Sequence, residues 1–313
     1  MARVRVLPPT DRTPGRRETD GALRLAARLP RIVLEARRVA GAVAHGIHGR
    51  RRAGPGESFW QFRPYTPGEA AARIDWRRSA HDDRLYVRQR EWEAAQTVWL
   101  WIDRSASMGY VSSLAEVPKV ERALVVGFAL AEMLVEGGER VGHLGAMPPR
   151  ASHSIVERLA EALAGHEAGL AADLPPREPL PPTNEAILVS DFLMPIGELT
   201  ATVEALSARG ARGHCIMVVD PVEETFPFTG QAELEDVETG TRLRVGDAGA
   251  WGADYRLRIA AHREAFAAVL TRRGWTLTVH HTDRPASEAV LRVMTLISAA
   301  RGGRGPVAMA AGG

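Results

Sequence analysis

The chain has 313 residues, more than one average domain, and its 45% hydrophobic and 25% charged side chains exclude a wholly disordered or collagen-like polymer. Forty Lys and Arg against 38 Asp and Glu leave a formal charge of +2, and a lone cysteine, Cys215, excludes a disulfide framework and points to a reducing compartment. No apolar run reaches the roughly 18 residues of a membrane-spanning helix, and no signal-peptide pattern follows the basic N-terminus, so a cytoplasmic location, at most peripheral to a membrane, is expected.

Charge is unevenly spread. The first 52 residues hold 13 Arg and 4 acids, a local +9, so the rest of the chain carries −7. Lys119 is the only lysine. The basic head reads either as a solvated tail leading into an amphipathic helix or as a tether to an anionic membrane surface or nucleic acid. No zinc-finger spacing or aromatic RNA-binding signature accompanies it.

Residues 1–20 carry Pro8, Pro9 and Pro14 among many charges, and a disordered tail is expected there. From Ala22 to Val43, the residues Leu25, Leu29, Ile32, Val33, Ala36, Val39, Ala40 and Val43 recur at helical spacing, and Pro30 is expected to split that helix. Gly46, Gly49, Gly54 and Gly56 then mark turns. Residues 57–95 are dense in Arg, Asp and aromatics, with a strand expected at Leu85–Arg88. Residues 21–95 are therefore read as a helix plus a small Arg/Trp-rich subdomain.

The pattern changes at Gln96. Thr97–Ile102 is an apolar run with Trp99 and Trp101, as in a strand buried on both faces. Helices are expected at Pro118–Glu136, at Ser154–Ala164 with Ser154 as N-cap, at Glu198–Arg209, at Ala253–Arg273 and at Ala286–Ala300. Strands are expected at Arg140–Gly145, Ala186–Ser190, His214–Val219 and Thr276–His281. A Pro-rich loop covers Leu174–Pro182. Residues 222–250 interrupt the rhythm with strand candidates at Ala232–Glu235 and Arg242–Val245, read as an inserted β-hairpin. The alternation predicts an α/β fold with a doubly wound, mainly parallel sheet over 96–301 and a flexible tail over 302–313.

The stretch Trp99-Leu-Trp-Ile-Asp-Arg-Ser-Ala-Ser-Met108 carries the strongest chemical signal. Asp103, Ser105 and Ser107 form D-x-S-x-S directly after an apolar strand, where open α/β sheets bind ligands. One carboxylate and two hydroxyls are hard oxygen donors suited to Mg²⁺ or Mn²⁺. Three side chains do not complete six-fold coordination, and Asp191, at the end of another expected strand, is the natural second carboxylate.

Further stretches carry a family resemblance: Arg63-Pro-Tyr-Thr-Pro-Gly-Glu69, Arg73-Ile-Asp-Trp-Arg-Arg-Ser-Ala80, Leu85-Tyr-Val-Arg88, Glu91-Trp-Glu93, Gly138-Glu-Arg-Val-Gly142, Val189-Ser-Asp-Phe192 and Asp220-Pro-Val-Glu-Glu-Thr-Phe-Pro-Phe228. In this order, with the D-x-S-x-S tripod, they resemble the domain-of-unknown-function family 58, whose C-terminal part is similar to a von Willebrand factor A domain. The resemblance implies a metal-ion-dependent adhesion site at Asp103, Ser105 and Ser107, with Asp191 as the distal acid. It also implies a co-chaperone or adaptor role beside a MoxR-type AAA+ ATPase. The usual Gly-Gly-Thr element of such a site does not occur here; Ser152, Ser154 and Thr183 are the loose substitutes.

Arg73, Asp75, Trp76, Arg77 and Arg78 concentrate charge beside an aromatic, either as a partner-docking surface or as an internal Asp–Arg network. His280 and His281 point to opposite faces of a strand, and His45 with His48 lacks a third ligand nearby, so neither pair reads as a metal site. Cys215, mid-strand, reads as an inert core thiol. No nucleophile elbow or phosphate loop occurs. The expected function is a non-enzymatic, metal-assisted protein-binding module. The alternatives are a metal-dependent hydrolase using the same acids and a tether through the basic head.

Overall fold

The structure, a computed structural model, describes residues 14–48, 59–67, 69–80, 84–90, 95–166, 172–235 and 242–302. In chain order the elements are α1 (Pro14–His48), β1 (Phe59–Pro64), α2 (Trp76–Ser79), β2 (Tyr86–Arg90), β3 (Thr97–Ile102), α3 (Lys119–Glu136), β4 (Arg140–His143), β5 (Met147–Arg150), α4 (Ile155–Gly165), β6 (Glu185–Ser190), α5 (Ile196–Ser207), β7 (Arg212–Val219), α6 (Pro221–Thr225), β8 (Ala232–Glu235), β9 (Arg242–Val245), α7 (Gly252–Arg272), β10 (Thr276–His281) and α8 (Ala286–Gly302). They form two compact units. One joins the chain up to His45 with the chain from Gln96; the other is Gly46–Ala95.

The larger unit is built on a six-stranded sheet in the order β10-β7-β6-β3-β4-β5. Every neighbouring pair is parallel except β4 with β5. This agrees with the doubly wound, mainly parallel sheet expected from the sequence. Alternation along β3 divides the core. Trp101 joins Ala186, Leu188, Cys215 and Met217 under Leu199, Val203 and Leu206 of α5 and Phe266 and Leu270 of α7. Val98, Leu100 and Ile102 are buried on the other side. There α3 comes close: a Cβ on Gly127 would stand 2.5 Å from Ile102 Cδ1, so the helix reaches this distance only because residue 127 lacks a side chain. The inserted hairpin β8–β9 is a separate antiparallel pair, as expected.

Several expectations need correction. The helix predicted to break at Pro30 runs unbroken through it and begins at Pro14, inside the tail expected to be disordered; residues 1–13 lie outside the described residues. Burial explains the tolerance of proline: Leu29, Ile32, Ala36, Ala40 and Val43 form one buried stripe, which outweighs a missing backbone hydrogen bond. Ion pairs fix α1 to α3 and α4, Arg28 to Glu121 at 3.2 Å and Arg37 to Glu157 at 2.8 Å. The helix thus belongs with the sheet rather than with the Arg/Trp-rich segment. Ser154 precedes α4 but makes no capping bond; its hydroxyl pairs with Ser152 at 3.0 Å. Strand β5 was not expected. It contains Pro148 and Pro149, and only its edge position makes the missing donors tolerable.

In the smaller unit β1 and β2 pair antiparallel, and Ile74 bridges Val87. Asp75 caps α2, its carboxylate accepting from the Arg78 backbone N–H at 3.0 Å. Among the described residues, no helix is long and apolar enough to cross a membrane.

Candidate functional site

The site grows from two adjacent parallel strands. Ile102 of β3 is in register with Val189 of β6, and Asp103 extends the pairing by donating its N–H to the Val189 carbonyl at 2.9 Å. Asp103 and Ser190 therefore emerge side by side. Asp103 is fully buried; its Oδ2 accepts from Ser190 Oγ at 2.6 Å and its Oδ1 from the Ser105 N–H at 2.8 Å. Burial pushes its pKa up to about 6, against the pull of these hydrogen bonds, and the nearby Asp191 charge adds to the rise. A 3₁₀ turn at Ala106–Gly109 then sets the Ser105 and Ser107 hydroxyls 3.3 Å apart. Arg104, although next in sequence, directs its guanidinium to the Leu163 and His166 carbonyls at the end of α4.

Asp191 lies beside this tripod but is held by another group. Its Oδ2 accepts from Lys119 Nζ at 2.9 Å, and its Oδ1 from the Leu193 N–H at 3.3 Å. The same ammonium reaches Glu223 Oε1 at 2.6 Å. Burial works against a charged lysine here, but Asp191 and Glu223 together outweigh it and raise the Lys119 pKa. Glu223 is fixed by a capping box on α6: Asp220 accepts from the Val222 N–H, and Glu223 accepts from the Asp220 N–H at 2.9 Å. Asp220 also accepts from the Ser112 N–H at 2.9 Å, pinning the loop that follows the tripod. Phe192 sits at φ 49°, an uncommon conformation for a bulky residue, and turns the chain just after Asp191.

A hard dication needs converging oxygen donors. Asp103, Ser105 and Ser107 fit that need, since Asp103 is bonded only by neutral donors among those described above and the two hydroxyls face each other. Asp191 fits it poorly, because an ammonium already occupies one of its oxygens. Among the described residues, no group of three or more His, Cys, Asp or Glu side chains could hold a metal ion. The loops around the site expose apolar side chains: Val111 at 44%, Leu114 at 54% and Leu193 at 44%.

The remaining candidates are placed as follows. In the smaller unit the Asp75 carboxylate serves as a helix cap, Trp76 stands 61% exposed, Arg77 is exposed, and the Arg78 guanidinium lies 5.0 Å from the Tyr86 ring centroid. Arg73 ends a 3₁₀ turn, and its side chain lies outside the described residues. His280 is buried, while His281 bonds Glu224 at 2.7 Å. Cys215 is buried, and burial pushes its thiol up, away from a reactive thiolate. His45 turns its Nδ1 to the Gly41 carbonyl, and the His48 side chain lies outside the described residues.

Lys119, Ser190, Asp220 and Glu223 were missed as site residues. The signals were present: a single lysine in the whole chain, a serine before Asp191, and a D-P-x-E capping pattern after a strand.

Comparison with known proteins bears on family alone. The chain is 30% identical over 276 residues to the uncharacterized protein Mb1516 of Mycobacterium bovis and, equally, to the uncharacterized protein Rv1480 of Mycobacterium tuberculosis strain H37Rv; each match covers 83% of this chain and 86% of the relative. Among solved structures it is similar to the conserved hypothetical protein BatB of Bacteroides thetaiotaomicron, at 13% identity and a TM-score of 0.39, covering 66% of this chain and 100% of that one. It is also similar to an aerotolerance-related membrane protein of Bacteroides fragilis, at 15% identity and a TM-score of 0.39, covering 64% of this chain and 100% of that one. Residues 61–265 match the family described as protein of unknown function DUF58, and the chain belongs to that family.

Proposed function

We propose that the chain is a non-enzymatic protein-interaction module whose docking site is the C-terminal end of the sheet in the larger unit. The observation that carries this reading is the pairing of a buried acidic centre with an exposed apolar rim. Asp103, Ser105 and Ser107 lie between loops that present Val111, Leu114 and Leu193 to solvent. Apolar side chains exposed close together beside polar groups mark an interaction surface, and the acidic centre beside them adds a polar anchor. The tripod would hold Mg²⁺ or Mn²⁺, and a bound cation would offer an open position to a partner's Asp or Glu. The partner class is a MoxR-type AAA+ ATPase in the cytoplasm, which follows from the family resemblance.

The test is binding of the full chain to a purified MoxR-type ATPase encoded by the same organism. Capture by the native chain, lost on Leu114→Asp with Leu193→Asp and weakened by Asp103→Ala, is the expected result. No binding by the native chain at micromolar concentrations, with or without Mg²⁺, would sink the proposed partner.

A further inference from the structure

The chain uses arginine for every basic side chain but one, and its sole lysine is 1% exposed and beside the candidate site. Three contacts surround that ammonium: Asp191 Oδ2 at 2.9 Å, Glu223 Oε1 at 2.6 Å, and the Tyr110 ring, whose centroid lies 5.9 Å away. Asp191 follows β6, Glu223 belongs to the first turn of α6, and Tyr110 closes the 3₁₀ turn of the tripod, so three separate elements converge on one nitrogen. The side-chain type suits the place. A guanidinium is a planar fork built for one carboxylate, whereas an ammonium is a compact point charge that oxygens can approach from several directions, much as they approach a metal ion.

We propose that Lys119 is the built-in cation of this site. Its ammonium holds the position on Asp191 that a divalent metal would otherwise take. Asp191 is therefore not a metal ligand in the native chain, and a metal at Asp103, Ser105 and Ser107 binds through the tripod and water alone. This deepens the interaction-site reading and rests on it for the tripod. The shape of the site becomes independent of metal, and metal affinity is held low by a positive charge that cannot diffuse away. Replacing the lysine with a neutral side chain would leave Asp191 and Glu223 without their shared cation and remove the positive charge that competes with a dication near the tripod.

Because the chain has one lysine, lysine labelled with ¹⁵N at Nζ gives a single side-chain signal from the full-length protein. A protected Lys119 ammonium signal that persists unchanged in saturating Mg²⁺ is expected. A signal driven into free exchange with solvent by Mg²⁺ would show that metal displaces the lysine and would overturn the proposal. In parallel, Mn²⁺ affinity is compared in the native chain, Lys119→Met and Lys119→Arg. The neutral variant is expected to bind at least about tenfold tighter, and the arginine variant no tighter than native, because only the former removes the competing charge. Equal affinity in the native chain and Lys119→Met would also overturn the proposal. A Lys119→Met chain that folds only with Mn²⁺ would support it, as a direct exchange of one cation for the other; if that variant does not fold at all, the lysine signal decides. Loss of partner capture in Asp103→Ala together with negative lysine results would leave the interaction reading standing and remove only this one.

Discussion

Strand β6 carries a carboxylate at each end, and the two are neutralised by different means. At its start, Glu185 is gripped by Arg301 of α8 through two bonds, Nε to Oε1 at 3.3 Å and Nη2 to Oε2 at 2.9 Å, while Nη1 reaches Glu139 at 2.5 Å. Just past its end, Asp191 shares the Lys119 ammonium with Glu223. The first is a fork that ties the last helix to the sheet. The second is a point charge between acids from separate elements. The same guanidinium reaches the neighbouring acid, Glu139, so one cation serves two carboxylates there as well. Next to the second stands Asp103, fully buried and bonded to a hydroxyl and an amide, under loops with exposed apolar side chains. The two ends carry the same balance, two carboxylates to one cation, and differ in that the second adjoins a further, fully buried carboxylate.

The comparison breaks hardest at Lys119. Lys119→Met leaves the buried Asp191 and the half-buried Glu223 without their cation and should cost about 3–5 kcal/mol in denaturant unfolding; a loss near zero would mean the pair is not formed in solution. Asp103 gives the next effect. Between pH about 4 and about 6 the folded chain holds a proton on Asp103 that the unfolded chain has released, so this group's contribution to stability falls as pH rises through that window. Asp103→Asn should therefore gain roughly 2–3 kcal/mol relative to the native chain between pH 4 and pH 7.5 in the presence of a chelator. A difference that does not vary with pH would show Asp103 ionising normally. At the other end of β6, Arg301→Lys keeps the charge but loses the fork, and about 1–2 kcal/mol of stability should go with it; a neutral outcome would erase the distinction between the two ends. The smallest effect is expected from Ser190→Ala. It removes one hydrogen bond to the Asp103 carboxylate, should cost about 1 kcal/mol, and should move the Asp103 titration further upward, as read by carboxyl NMR.

Much of this was legible in the residues. The hairpin Ala232–Glu235 with Arg242–Val245 and the strand Thr276–His281 lie where alternation and turn signals put them. Elements whose local preference is overruled by their surroundings were harder. Pro30 reads as a break, yet α1 continues because its apolar stripe is buried and its arginines pair with acids of α3 and α4. Pro148 and Pro149 argue against a strand, yet β5 forms because an edge strand leaves some donors unpaired anyway. Ser154 reads as a cap and is instead occupied by Ser152.

The tripod is a local feature. Asp103, Ser105 and Ser107 lie two residues apart after an apolar strand, so spacing alone brings one carboxylate and two hydroxyls to a strand end. The partner of Asp191 is not local. Lys119 is 72 residues before Asp191 and 104 before Glu223, and no periodicity links them. Only the crossovers between parallel strands, which bring the carboxyl ends of β3, β6 and β7 to the same edge of the sheet, bring the start of α3, the end of β6 and the first turn of α6 to a single point. Sequence by itself determined the oxygens of the tripod; the tertiary structure decided which further oxygens, of Ser190 and Glu223, and which charge stand beside them.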